Sequence, residues 1–257
     1  MSLNEQLIAF MTILRKEIGR FMRIWTQTLV PPVITITLYF VIFGSLIGSR
    51  IGSMGGVGYM EFVVPGLIMM AVITSSYTNV VSSFYGAKFQ RFVEEILVSP
   101  TPNYIILMGF VMGGVARGLG VGLIVTLVAM FFTDLYIHNV FVTVAIVVLT
   151  SVFFSIAGFI NAIFANSFDD ISIIPTFILT PLIYLGGVFY STDLLSGFWA
   201  GASKLNPILY IVNTFRYGIL GISDIDVTWA FIMIAVFTAV GFAYSMHLLN
   251  SGKRLRQ

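Results

Sequence analysis

Long apolar runs, separated by a few charged residues, organise the chain. Residues 24–49, 62–87, 135–168, 171–192 and 227–252 contain no Asp, Glu, Lys or Arg, and 96–133 is interrupted only by Arg117. A helix needs roughly 20 apolar residues to cross the hydrocarbon core of a bilayer. Each gap is long enough for one crossing, and none comfortably holds two. The expected spans are 26–48, 61–83, 104–132, 140–164, 172–190 and 228–249. Inside hydrocarbon every backbone N–H and C=O must find a partner, which leaves helices or a closed barrel. Barrel strands are about 10 residues long and alternate in polarity, whereas these runs are continuous. The pattern predicts an all-α polytopic membrane protein with six transmembrane helices, in a single transmembrane domain over 1–257.

Three segments fall outside the spans. In residues 1–25, Leu3, Leu7, Met11, Leu14, Ile18 and Phe21 recur at helical spacing, with Glu5, Thr12, Lys16, Arg20 and Arg23 on the other side. This predicts an amphipathic helix lying in the membrane interface; the alternative is a disordered tail. Its basic residues come late and no small-residue cleavage site follows, unlike a signal peptide. Pro31 and Pro32 then kink the first span or delay its start. Residues 86–99, GAKFQRFVEEILVS, place Phe89, Phe92, Val93, Ile96 and Leu97 on one helical stripe. Lys88, Arg91, Glu94 and Glu95 supply the charges, and Arg91 is expected to pair with Glu94 or Glu95. Such a helix fits a groove on a partner protein or rests on lipid; its two glutamates favour the protein. Residues 191–227 are too polar to cross. They fit two short helices re-entering the outer leaflet and divided at Asn206–Pro207, or a surface loop.

Composition narrows the class. Hydrophobic residues make up 58% of the 257 and charged residues 9%, against about 25% charged in soluble domains. Mean hydropathy is +0.99. Soluble-enzyme, nucleic-acid-binding and disordered classes are excluded, and a net charge of +2 gives no reason to expect a nucleic-acid partner. Cysteine is absent, so there is no disulfide or thiolate chemistry. Lys and Arg set the orientation. Six spans put both termini on one side with Arg15, Lys16, Arg20, Arg23, Lys88, Arg91, Lys253, Arg254 and Arg256. Arg50, Lys204 and Arg216 fall on the other. Both termini are therefore expected in the cytoplasm.

Candidate chemistry is sparse. No GxxxxGK[ST] phosphate loop exists. His138 and His247 are expected at opposite faces, so neither a metal cluster nor a catalytic constellation can be drawn. The chain is expected not to be an enzyme by itself. Arg117 is the one charge within a span, at a cost of about 2.5–3.5 kcal/mol on insertion scales. It either lines a path for an anionic substrate or ties to backbone carbonyls. No carboxylate is expected at its depth in another span, which argues against an ion-coupled carrier. Gly109, Gly113, Gly114, Gly118 and Gly122 make small-xxx-small pairs that admit a close neighbour, within the chain or across a dimer.

The stretch 181–221, PLIYLGGVFYSTDLLSGFWAGASKLNPILYIVNTFRYGILG, resembles the ABC-2 type transport permeases. Pro181, Leu182, Gly186, Gly187, Leu194, Leu195, Asn206, Pro207, Tyr210 and Arg216 fit that family's outer signature. Many members also have Pro between the glycines and the Leu pair; Val188 to Asp193 has none. GAKFQRFVEEILVSP is similar to the family's coupling helix. Stretches such as QTLVPPVITITLYFVIFGSLIGSRIG, FVVPGLIMM and GGVARGL are similar to inner-membrane members from gamma-proteobacteria. The resemblance covers essentially the whole chain. It implies the permease subunit of an ATP-binding-cassette exporter in the bacterial inner membrane, a homodimer carrying two separate ATPase subunits. ATP and Mg would sit on the partner, and this chain would bind no cofactor. Lys88, Phe89, Arg91, Phe92, Glu94, Glu95 and Leu97 would couple to the ATPase. Gly186, Gly187, Asn206, Pro207, Tyr210 and Arg216 would shape the outer gate. Family members move polysaccharides, lipid-linked glycans or hydrophobic drugs. An ion-coupled carrier or channel working alone, and a non-transporting membrane scaffold, are the competing readings.

Overall fold

A computed structural model describes residues 1–252; Lys253, Arg254 and Arg256, used above for orientation, lie outside them. The first helix, α1 (Leu3–Arg23), opens on a capping box in which Ser2 and Glu5 bond each other's backbone N–H. Arg20 and Arg23 close its last turn, where cations favour the helix dipole. The chain breaks at Ile24, forms the single turn α2 (Trp25–Thr28), and restarts as α3 (Val30–Val41). Pro31 and Pro32 sit in the first turn of α3, where a missing N–H costs nothing. They start this helix and do not kink it. A π-helical stretch, Ile42–Ile47, leads into α4 (Gly48–Ile51). A small hairpin follows, β1 (Ser53–Met54) against β2 (Val57–Gly58), turning on Gly55 and Gly56 at positive φ.

The core is three long helices: α5 (Tyr59–Phe89), α7 (Asn103–Ala129) and α8 (Val140–Phe164). Glycine sets their separation. A Cβ at Gly114 would lie 2.5 Å from Val80 of α5 and against Ser155 of α8; one at Gly118 would meet Ser76 and Ser151. A Cβ at Gly122 would lie 2.7 Å from Val72. The small-residue tract of α7 is thus spent on packing within the chain. Gly158 of α8 does the same against the Tyr77 carbonyl of α5.

The helix α1 runs lengthwise along the first half of α7. The Tyr104 hydroxyl donates to Gln6 at 2.7 Å, and Ile13 lies over Gly109 and Glu17 over Gly113. The docked face therefore carries Ile13, Glu17 and Phe21. The apolar stripe through Leu3, Leu7 and Met11 stays exposed, the face available to lipid. The last long helix, α13 (Val227–Ser251), returns to the same place, where Asn103 donates to Asn250 at 2.7 Å. Both ends of the described chain thus meet at the start of α7. We refer to this as the near end, and to the end bearing the hairpin as the far end.

Among the described residues, five helices are long and apolar enough to cross a membrane: Trp25–Gly44, Tyr59–Phe89, Asn103–Ala129, Val140–Phe164 and Val227–Ser251. The expected span 172–190 differs. Its helix is Asp170–Tyr184, assembled from three five-residue pieces: α9 (Asp170–Ile174), a π-helical stretch (Pro175–Leu179) and α10 (Thr180–Tyr184). Pro175 and Pro181 remove backbone donors and divide it. It measures about 22 Å at 1.5 Å per residue, short of the roughly 30 Å hydrocarbon core. The chain nevertheless covers the distance. Phe168, just before it, packs on Tyr85, and Val188, just after it, meets Gly66. These two levels are separated by about 28 Å along α5. Two further helices cap the far end, α11 (Gly197–Lys204) and α12 (Pro207–Leu220), with the division at Asn206.

Candidate functional site

At the near end, the expected continuous helix over 86–99 is broken. The helix α5 runs on to Phe89, and the chain turns through Gln90 and Arg91 before α6 (Phe92–Val98). Arg91 has φ 64°, a left-handed conformation rare outside glycine. Its N–H bonds the Lys88 carbonyl at 3.0 Å. The break divides the apolar stripe. Val93 is buried and Ile96 and Leu97 are half-buried, while Phe89, Phe92 and Val98 are exposed. Arg91 and Glu95 are exposed and Glu94 is half-buried. Arg91 lies before the first turn of α6, off the flank of Glu94 and Glu95, and makes no ion pair with either among the described residues.

Lys88 points the other way. It is 3% exposed and donates Nζ to the carbonyls of Ile163 and Ala165 at 2.7 and 2.8 Å. Those carbonyls end α8, so Lys88 is a C-terminal cap and is absent from the exposed face. A residue outside the expected set takes its place. Phe168, in the turn between α8 and α9, is exposed and packs edge-on to Phe89 at 5.1 Å and to Tyr85 at 5.0 Å. Asp170 stiffens that turn by accepting from the Asn166 and Ser167 amides. Phe89 and Phe168 thus form an exposed aromatic pair drawn from two turns, and Phe92, at the start of α6, is exposed as well.

At the far end, Arg216 organises the expected signature. It is 1% exposed. Its Nε donates to the Phe62 carbonyl at 3.2 Å, Nη2 to the Gly187 carbonyl at 2.6 Å, and Nη1 to Asn213 Oδ1 at 3.2 Å. The guanidinium lies 3.7 Å from the centre of the Phe62 ring, a cation–π contact. Gly187 reaches this position at φ 70°. Asn206 caps α12 through the Ile208 amide and donates Nδ2 to the Leu182 carbonyl at 2.6 Å; Pro207 takes the first helical position. A Cβ on Gly186 would lie 2.7 Å from Ile208. Tyr210 joins α12 to α11 by donating to the Lys204 carbonyl at 2.9 Å. The six residues clamp α12 to the turn after α10 and to the head of α5. Asn213, Phe62 and Asp224 complete the clamp. Asn213 Oδ1 also accepts the Asp224 amide, and Asp224 accepts from Ser191 and Thr192. None of the three was expected in the clamp: Phe62 and Asp224 meet partners more than ten residues away, and Asn213, three residues from Arg216, joins it to the distant Asp224.

Arg117 donates Nη2 to the carbonyl of Thr28, the last residue of α2, at 3.3 Å. Exposed Arg23 and Trp25 lie just before Thr28; such residues mark a membrane–water interface. One turn earlier on α7, Gly113 carries Glu17 over it. Glu17 comes from α1, which no count of charges within spans includes. Among the described residues, no group of three or more His, Cys, Asp or Glu is placed to hold a metal.

Known proteins were compared with this arrangement. The chain is 58% identical over 250 residues to the inner membrane transport permease YadH of Escherichia coli (strain K12), covering 97% of each chain. It is 24% identical over 225 residues to nodulation protein J of Neorhizobium galegae, covering 86% of this chain and 84% of the relative. Nodulation protein J of Rhizobium leguminosarum bv. trifolii is 22% identical over 216 residues, at 83% and 82% coverage. The profile of the ABC-2 type transporters matches residues 8–220. That match takes in most of α1, the exposed aromatic residues at the near end and nearly all of the Arg216 clamp. The chain belongs to the ABC-2 type transporter family.

Proposed function

We propose that this chain is the membrane subunit of an ATP-driven exporter in the bacterial inner membrane, with its near end in the cytoplasm. It works as a homodimer carrying two ATPase subunits, which bind the ATP and Mg. The observation that carries the reading is the exposure of Phe89, Phe92 and Phe168 beside a broken helix, in a family of ATP-binding-cassette transporters. Exposed aromatic side chains are common anchors of protein interfaces. The left-handed Arg91 is a local strain of the kind kept at functional positions. Closure of the ATPase pair would push on α6 and the end of α5 together.

Six crossings support the orientation. Two chain ends at one end of the bundle require an even number, and we assign the sixth to segment 170–188, beside the five long helices. The name of the 58% identical relative agrees with the inner membrane. The Arg216 clamp would then hold the exit side closed as one unit with the head of α5.

The test is co-purification with the ATPase encoded beside the chain, followed by ATP hydrolysis of the complex. Phe92→Asp and Glu95→Lys are expected to abolish permease-stimulated hydrolysis while both variants remain in the membrane. Stimulation that survives both changes would remove 89–98 from the docking surface. Proton-driven flux without an ATPase would establish the carrier reading instead.

A further inference from the structure

One cluster of charges has no part in docking. Glu17 is fully buried, and neither carboxylate oxygen has a hydrogen-bond partner. Arg20 Nε lies 3.5 Å from it. Arg20 also reaches α5, donating Nη2 to the Asn79 carbonyl at 2.9 Å and to Asn79 Oδ1 at 2.8 Å. Arg117 of α7, one turn beyond Gly113, is tied to the end of α2. Gly113 is what admits the carboxylate: a Cβ there would lie 2.5 Å from the Glu17 Cβ and 3.7 Å from Asn79 Nδ2. Four elements meet around one acid and two guanidinium groups.

This arrangement has one register. Moving α1 by a turn along α7 would carry the Glu17–Arg20 pair with it, but it would break both bonds from Arg20 to Asn79 of α5 and move Glu17 off the position it fills over Gly113. The same helix faces α6: Ala9, Thr12 and Ile13 share a shallow groove with Glu95, Ile96 and Ser99. We infer that Glu17, Arg20, Asn79 and Arg117 form a charge lock that makes α1, α5 and α7 move as one body. Force arriving at α6 is then delivered to α3 through α1 and α2, and is not lost as sliding between α1 and α7. Glu17 and Arg20 are positioning residues in this scheme. The transmission half rests on the proposed ATPase contact; the lock itself does not.

The chain has no cysteine, so Gln6→Cys with Tyr104→Cys reports the apposition of α1 and α7 without background. In native membranes a short bis-thiol reagent is expected to cross-link this pair rapidly in the otherwise unaltered chain and several-fold more slowly with Glu17→Gln or with Arg20→Gln. The double change Glu17→Gln, Arg20→Gln is expected to cross-link faster than Arg20→Gln alone, because no buried acid is left without its cation. Equal rates in all four backgrounds overturn the lock. Deficits that simply add reduce it to packing and overturn its electrostatic basis. In the complex, Glu17→Gln should lower permease-stimulated ATP hydrolysis several-fold with the ATPase still bound. Slower cross-linking with unchanged stimulation overturns transmission. If no ATPase binds even the unaltered chain, the proposed function and transmission fail together, and the cross-linking rates still decide the lock.

Discussion

Replacing Lys88 with Met separates two meanings of one residue. The sequence pattern places Lys88 on a face that meets a partner. The structure turns it inward, with Nζ 2.7 and 2.8 Å from the last carbonyls of α8. A hydrogen bond to a charged group contributes about 1.5–3 kcal/mol, so the two together contribute about 3–6 kcal/mol before opposing costs. Burying the ammonium opposes them by several kcal/mol, and Met removes that cost too. Two carbonyls then lose their donor in a dry site, at about 1–3 kcal/mol each, partly offset by the packing that Met retains. The expected net loss is about 2 kcal/mol, which lowers Tm by about 4–8 °C in a chain of this size. The assay is thermal unfolding of the purified permease in detergent, beside a pull-down of its ATPase. Unfolding at a lower temperature with partner binding retained below that temperature is the expected pair of results. A normal Tm with partner binding lost would refute the reasoning and return Lys88 to the docking surface.

Two other changes probe the turn and the clamp. Arg91→Gly should raise Tm by about 2–4 °C, because glycine adopts φ 64° freely while other residues are strained there by about 1–2 kcal/mol; a lower Tm would mean that the Arg91 side chain contributes more than its strain. Arg216→Lys keeps the charge but loses the planar fork that serves Phe62, Gly187 and Asn213 together. It should destabilise by about 2–4 kcal/mol and open the 185–226 region to protease in right-side-out membranes; wild-type resistance would refute the clamp.

Helix extents were legible wherever a charge-free run carries its own caps. The run after Asp134 predicts 140–164, and α8 spans those residues, started by Asn139 accepting from the Val142 amide. The glycine tract of α7 was legible as a close contact, though not which neighbours it serves. The break at Arg91 was not, because Phe89, Phe92, Val93, Ile96 and Leu97 keep helical spacing straight through it and an arginine in a left-handed conformation has no local signature. The role of Pro31 and Pro32 was ambiguous for a different reason. A proline pair reads alike as a kink or a start, and the decision is made upstream at Ile24 and Leu29. In the expected fifth span, hydropathy is blind to the missing donors of Pro175 and Pro181.

The few buried cations follow one rule that hydropathy also hides. Lys88 meets Ile163 and Ala165, where α8 ends. Arg117 meets Thr28, where α2 ends. Arg216 meets Gly187, at a turn, and Phe62, near the start of α5. Each cation thus has at least one carbonyl at the C-terminal end of a helix or at a turn, where carbonyls lack intrahelical partners; Lys88 and Arg117 also meet the ends that concentrate partial negative charge. Lys and Arg offer only donors, so an orphan carbonyl serves them without a second charge to desolvate. Searching for a carboxylate opposite each buried cation is therefore the wrong test in such a bundle. Among the described residues Arg20 has an ion pair, with Glu17 one turn before it on α1, and its other partner, Asn79, lies in the unbroken middle of α5. With no helix end there, the guanidinium takes Asn79 and an acid of its own helix. That exception is the physical reason to look for a special role at Glu17 before any other charge in the chain.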